Sequence, residues 1–388
     1  MVTEEIFQSF LNCKTKSYLK FSRAIDTQPE FRDWQRRQIE DYRQKCYDQL
    51  RSKFGEDECL TDVSFPQALE NSKCHLVFDC LVKSQEIRSN IHALERVTSS
   101  DKKRHSSYIP IRFVPYKKIT KQDRLLLAYD ALTISLATGK IPFFGKIIYS
   151  CEHKTTKVQL PELVKTTQSI VAEIIKQHTS RTVPQLILNK HCPQCEFESE
   201  CRQIAHEKDD LSLLPNMTEK ERQKQHNKGI FTVTQLSYTF RPRKRAKRLA
   251  SKPKKYNHAL KALAIRENKI HVARRSELNL IGTPVYLDVE GSSDQDFYYL
   301  IGLRTKSDSS YIQHSFWANE LTDEKVIWVS FLQTLSKIEN PQLIYFGNYE
   351  KVFLKRMNER YSDTVETPDF IEQLIATSVN LLSFTAIQ

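Results

Sequence analysis

Three cysteines stand as C-x2-C-x5-C at Cys192, Cys195 and Cys201. Three thiolates cannot complete a four-coordinate site, so a further ligand must come from elsewhere in the chain. His191, beside the first of them, would make a Cys3His zinc site. A fourth cysteine would instead complete the thiolate set of an iron–sulfur cluster. The stretch 185–191 holds no cysteine, so a fourth thiolate must be remote. Cys13 is the candidate, in a segment where Ile6, Phe10, Leu11, Tyr18 and Phe21 recur at helical spacing. Such a ligand would tie the first helix to residues far downstream and restrict every fold between them. The plain alternatives are unliganded cysteines and, for Cys13, a small buried hydrophobe.

A chain of 388 residues is long enough for two to three domains, each with its own core. Its net charge of +12 suggests an anionic partner, nucleic acid foremost. The 8 glycines form neither G-x-G-x-x-G nor G-x-x-x-x-G-K-[ST], which argues against a dinucleotide fold or a P-loop motor. The start, Met1-Val2-Thr3-Glu4-Glu5, lacks the features of a signal peptide. The most apolar run, 125–137, is broken by Tyr129 and Asp130 and falls short of the ~20 residues that span a membrane. A cytoplasmic protein with no membrane partner is expected. There the nine cysteines are buried, reactive or metal-bound rather than paired as disulfides.

Periodicity predicts helices over 3–21, 29–53, 121–138 (stopped by Gly139) and 163–178, and strands over 75–82, 108–114 and 146–149. Strands bracketing helices around one acid, Asp79, describe an α/β sandwich. Residues 209–238 read as two short helices joined at Lys228-Gly229-Ile230. This is either a helix-hairpin-helix-like element whose turn amides meet a phosphate, or a plain connector. The most basic stretch follows, with Arg241, Arg243, Lys244, Arg245, Lys247 and Arg248. It is a solvated linker or, at this density of one sign, a segment that tracks phosphates. Antiparallel strands are then expected at 283–291 and 296–303, with a third at 310–317. A helix over 324–338, a strand over 343–347 and helices over 352–361 and 369–382 complete the pattern. Asp288 and Glu290 lie two apart on a strand and so face the same side. That suits phosphodiester hydrolysis by paired Mg2+ or Mn2+ ions, although two solvated strand acids would look the same.

The early Phe7-x-x-Phe10-x-x-Cys13 and the later C-x2-C-x5-C resemble the iron–sulfur staple of RecB-family nucleases, which implies a 4Fe-4S cluster on Cys13, Cys192, Cys195 and Cys201. With Asp209-Asp210-Leu211 and the block 287–291, the chain is similar to RecB-like putative nucleases that carry a YprB-type, ribonuclease H-like C-terminal domain. The implied layout is a RecB-like, restriction-endonuclease-type α/β domain over 1–205. A helical connector follows over 206–275, and a ribonuclease H-like α/β domain over 276–388 that stops before its closing segment. The resemblance places the first acid of a P-D-(D/E)-x-K site at Asp79. Arg112 then falls where the second acid belongs and Val114 where the lysine belongs, so this site is expected to be degenerate. A shifted register would let Glu86 or Glu95 supply that acid instead. In the second domain Asp288 and Glu290 match the first motif of DEDD-type exonucleases and Glu350 the second, while Tyr361-Ser362-Asp363 follows Glu350 too closely to be the last. The expected function is metal-dependent cleavage of DNA, with RNA as the alternative substrate, by the C-terminal domain. The competing readings are an inactive nucleic-acid-binding scaffold and a zinc-stabilised interaction protein.

Overall fold

The chain divides into two units, Met1–Val233 and Thr234–Gln388. They are seen in a computed structural model that describes residues 1–22, 30–55, 58–66, 74–97, 107–241, 257–271, 278, 280–292, 297–307, 310–364 and 369–383. Two units replace the three expected segments, because part of the connector belongs to the first unit. The Val233 amide donates to the Asp209 carbonyl, 2.9 Å away, and Arg222 pairs with Asp210 at 2.6 Å. No helix among the described residues is long and apolar enough to cross a membrane.

Unit 1 begins with β1 (Val2–Thr3), α1 (Glu4–Asn12), α2 (Lys14–Ser22) and α3 (Glu30–Arg51). β2 (Cys59–Thr61), β3 (Leu76–Lys83), β4 (Ile87–Val97), β5 (Ser107–Val114), α4 (Lys121–Thr138), β6 (Phe144–Tyr149), β7 (Lys154–Gln159) and α5 (Pro161–Thr179) follow. α6 (Glu198–Glu207) and α7 (Glu219–His226) precede α8 (Val233–Ser237) at the unit boundary. The sheet runs β2-β3-β4-β5-β6-β7, with β1 parallel to β4. α3 covers one face through Tyr42, Cys46 and Tyr47 against Phe78, Ile111 and Phe113. α1, α4 and α5 pack together over the other face, against Ile87, Val114 and Ile147.

Local chemistry explains the elements. Thr120 and Asp123 form a capping box at the start of α4, and Gly139 ends it in the left-handed conformation. Buried residues run unbroken from Leu125 to Ile134, so α4 is enclosed on all sides there rather than amphipathic, while Leu136 near its end is exposed. The single helix expected over 3–21 is two. Cys13 adopts an extended backbone between them, and its Sγ accepts the Lys16 amide at 3.5 Å. β4 and β7 were not foreseen.

Arg112 is the anchor of this unit. It donates to Asp130 on α4 at 2.8 Å and to Glu4 at the start of α1, while Ser89 on β4 donates to the other Asp130 oxygen at 2.6 Å. Asp130 is wholly buried, so its charge is tolerable only with these partners.

Unit 2 holds α9 (His258–Glu267), β8 (Thr283–Ser292), β9 (Phe297–Ser307), β10 (Ser310–Trp317), α10 (Glu324–Leu335), β11 (Pro341–Tyr345), α11 (Tyr349–Arg360), α12 (Asp369–Thr377) and β12 (Val379–Asn380). Its sheet runs β10-β9-β8-β11-β12. β9 is antiparallel to both neighbours, and β8, β11 and β12 are parallel. Val285, Leu287, Val289, Ile301 and Leu303 form one core with Trp328, Phe331, Phe353, Leu354 and Ile371 from α10, α11 and α12. The mixed α/β class is as expected, with each unit built on one mixed sheet.

Arg112→Met should strand the buried Asp130 charge and cost about 3–5 kcal/mol in urea unfolding. Adding Asp130→Leu should recover most of that loss. A double variant no more stable than the single one would deny Arg112 this role.

Candidate functional site

The acidic site is built on the carboxyl ends of the parallel strands of unit 2. Along β8, Val285, Leu287 and Val289 are buried while Tyr286, Asp288 and Glu290 are exposed, as the two-residue period requires. The ladder between β8 and β9 shifts at Glu290/Gly291, a bulge that turns the strand end. A Cβ on Gly291 would lie 2.7 Å from both the Phe297 carbonyl and the Tyr349 hydroxyl, so only glycine fits this turn. β11 then leads through Gly347, in the left-handed region at φ 116°, into α11, which places Glu350 in its first turn.

Glu350 is 5% exposed, and its Oε2 has no hydrogen-bond partner among the described residues. Burial pushes its carboxyl up, its own amide opposes this, and the charges of Asp288 and Glu290 add to the rise. The three acids therefore share one electrostatic environment. Tyr349 is raised to about 12 by burial, by Tyr298 and by Glu290, so two tyrosines and three carboxylates crowd one strand end. Asp363 pairs with Lys325 at 2.7 Å. Among the described residues no group of three or more His, Cys, Asp or Glu side chains stands ready-made as a metal-ion site. Carboxylate oxygens are nonetheless the donors that Mg2+ and Mn2+ prefer.

The corresponding region of unit 1 is cationic. Asp79 sits at φ 50°, and the β3–β4 ladder passes from Phe78↔Ala93 to Cys80↔Ile91 without pairing Asp79 or His92. The consequence is a change of face. Phe78 joins the α3 core, whereas Cys80 joins the core beside Ile134 of α4. Asp79 is turned to α3, where Arg43 pairs with it and the Tyr47 hydroxyl donates to it at 2.8 Å. Arg112 is held in its buried network, and Val114 is buried in the core. His92 lies in reach of both guanidiniums; burial, then Arg112, then Arg43 hold its imidazole well below its ordinary range. Its Nδ1 accepts the Phe113 amide at 3.1 Å. Glu95 pairs with Lys146. The partners of Asp79 and His92 have no sequence signal, because Arg43 and Tyr47 lie one helical turn apart on a helix that otherwise reads as solvated.

Cys13, Cys192, Cys195 and Cys201 line one cavity of about 630 Å3 with Lys16 and His191. All four thiols are free. Burial and then the charges of Cys195, Cys13 and Cys192 push Cys201 up to about 12. The Asn189 amide donates to Cys192 Sγ at 3.2 Å. The nearly buried Glu196 joins Lys16 at 2.9 Å and Lys20 at 3.0 Å, fastening α2 to the cysteine loop. Cys13 thus lines the same cavity as the three clustered cysteines.

The turn after α7 needs a correction. The amides of Lys228, Gly229 and Ile230 donate to the carbonyls of Gln225, His226 and Gln225, which closes the helix end. Those three amides are spent and do not point at a phosphate; Lys228 keeps an exposed side chain. Arg241 is exposed at the edge of the basic stretch, while Arg243, Lys244, Arg245, Lys247 and Arg248 lie outside the described residues. A scan against protein-family models and a search of curated proteins each find no match to this chain.

His92 gives unit 1 an acid-sensitive term. Its folded pKa lies below the ordinary ~6.5, so the stability it secures is present above that value. This stability is lost as pH falls from there toward the folded pKa, because the unfolded chain takes up a proton that the folded chain refuses. His92→Asn should flatten urea stability against pH over this window, by up to about 1.4 kcal/mol per pH unit. An unchanged slope would show that another group titrates.

Proposed function

We propose that the protein is a metal-dependent nuclease whose chemistry belongs to unit 2, and that unit 1 is a RecB-like scaffold with a silenced site. The observation that carries this reading is the convergence of Asp288, Glu290 and Glu350 at the ends of parallel strands, with Glu350 Oε2 buried and unpartnered. Three like charges in one place raise each other's energy, and a divalent cation would relieve it. The five-stranded mixed sheet with the acidic strand at its centre supports a ribonuclease H-like assignment for this unit.

Asp288, Glu290 and Glu350 would hold Mg2+ or Mn2+. Bound there, the ions would polarise the scissile phosphate and supply a hydroxide at neutral pH. Gly291 and the bulge aim Glu290, and the first turn of α11 holds Glu350 against the strand end. In unit 1, Arg43 neutralises Asp79 on the α3 side of the sheet, and Arg112, at the position the resemblance gives the second acid, is committed to Asp130 and Glu4 on the other side. That arrangement favours a phosphate-contacting or purely structural role for this unit.

The thiol cavity fits a 4Fe-4S cluster on Cys13, Cys192, Cys195 and Cys201. Four thiolates that destabilise one another without a cation are stabilised once they ligate iron, and amides donating to Cys13 and Cys192 sulfur suit that state. Bound there, the cluster would act as a clasp rather than a reaction centre. The basic residues Lys228, Arg241, Arg243, Lys244, Arg245, Lys247 and Arg248 are the proposed contacts to DNA or RNA phosphates.

Protein purified without oxygen should carry iron and sulfide at about four each per chain, and Cys13→Ser should lose both. One zinc and no iron would favour an interaction protein. Mn2+- or Mg2+-dependent degradation of labelled DNA should fall at least ~100-fold in Asp288→Ala and persist in Asp79→Ala. Loss in Asp79→Ala with activity kept in Asp288→Ala would place the chemistry in unit 1.

A further inference from the structure

Along β8, β9 and β10 the core formed by the described residues lies on one face of the sheet. The apolar partners of Val285, Leu287, Val289, Ile301 and Leu303 come from α10, α11 and α12. On the other face of β8, β9 and β10 no described helix covers the strands. The side chains there align in rows. Glu290 is opposite Leu300, which is opposite Trp317. Asp288 is opposite Gly302, which is opposite Ser315, and Tyr286, Arg304 and Gln313 make the next row. The acidic strand thus forms one wall, Gly302 a bare floor, and β10 a second wall ending in an indole.

Three observations give this groove a purpose. Trp317 is 61% exposed, yet its ring stacks on Tyr299 with centroids 6.5 Å apart and planes 22° from parallel. Tyr299 in turn feels the charge of Glu290, so the aromatic pair and the acids are neighbours. A Cβ on Gly302 would meet nothing nearer than the Asp288 carbonyl at 3.5 Å. The fold therefore tolerates a side chain at residue 302, and its absence leaves the floor open. One row further, the Arg304 guanidinium lies 4.4 Å over the exposed Tyr311 ring, a cation beside a second aromatic face.

We propose that this face is a stacking groove for one nucleic-acid strand, in which Trp317, backed by Tyr299, holds a base beside Asp288 and Glu290 and Arg304 takes a backbone phosphate; the proposal rests on the reading of those acids as the phosphodiester-cleaving site. The walls are two strand spacings apart, roughly 10 Å, which admits a single backbone with its bases turned out but does not seat a duplex. Exposed aromatics that stack bases are how sheet surfaces hold single strands without reading sequence. Scattered exposed aromatics are ordinary; here they share a face, a register and a neighbourhood with the acids.

The test uses the full chain with EDTA, so that binding is read without cleavage. Anisotropy is measured with labelled 12-residue oligo-dT, oligo-U and a DNA duplex. Trp317→Ala should weaken both single strands by about five- to a hundredfold, Trp317→Phe should restore most of it, and Gly302→Leu should weaken them by filling the floor. Duplex affinity should not change. Wild-type single-strand affinity in both Trp317→Ala and Gly302→Leu would overturn the groove, as would equal weakening of single strand and duplex. The two readings fail separately. Cleavage by the wild type with Trp317→Ala unchanged in affinity removes the groove and leaves the nuclease. The expected binding pattern with no metal-dependent cleavage leaves the groove and removes the nuclease.

Discussion

Arg112 is the residue on which unit 1 depends. Its guanidinium joins β5 to α4 through Asp130 and to α1 through Glu4, and α1 leads directly to Cys13. One buried cation thus ties down the helix that immediately precedes Cys13. A pair this deep adds little net stability over apolar packing, but breaking it is costly. Its value is geometric: it fixes where α1 meets the sheet. In the proposed account this side chain takes the place of a metal-binding acid, so the interaction that holds the scaffold together would also disfavour a cation there. Arg43 completes this by occupying Asp79.

Unit 2 follows the opposite electrostatic logic. Among the described residues Asp288, Glu290 and Glu350 form no ion pair, and one oxygen of Glu350 is buried with no hydrogen bond from them. Elsewhere in the same unit a buried acid is fully served: Glu324 receives the Tyr298 amide at 2.8 Å, the Tyr361 hydroxyl at 2.8 Å and Arg360. The contrast between Glu324 and Glu350 separates an acid that supports the fold from one held ready for something else. In the proposed account the second is the chemistry, and the sheet's bare face lies next to it.

Much of this was legible in the sequence wherever local rules and burial agree. The limits of α4 follow from a capping box and a terminating glycine, and the same-side placement of Asp288 and Glu290 from strand periodicity. The cysteine spacing called for a remote fourth ligand, and Cys13 lines the same cavity as the other three. What stayed hidden depends on contacts between distant residues. β4 carries Arg88, Asn90, His92 and Glu95 among its apolar positions, so its sequence does not announce a strand. The break at Cys13 has no glycine or proline to announce it. The left-handed Asp79 changes the facing of β3 halfway along, which periodicity alone cannot signal. Tyr299 joins Trp317 and Glu290 only because a bulge shifts β9 against β8.

The central claim is that the cation belongs to Asp288, Glu290 and Glu350 and not to Asp79. Mn2+ titration followed by electron paramagnetic resonance tests it without reliance on turnover. The account predicts saturable Mn2+ binding in the wild type, unchanged affinity in Asp79→Ala, and loss of that binding in Asp288→Ala. Binding that survives Asp288→Ala and disappears in Asp79→Ala would contradict it.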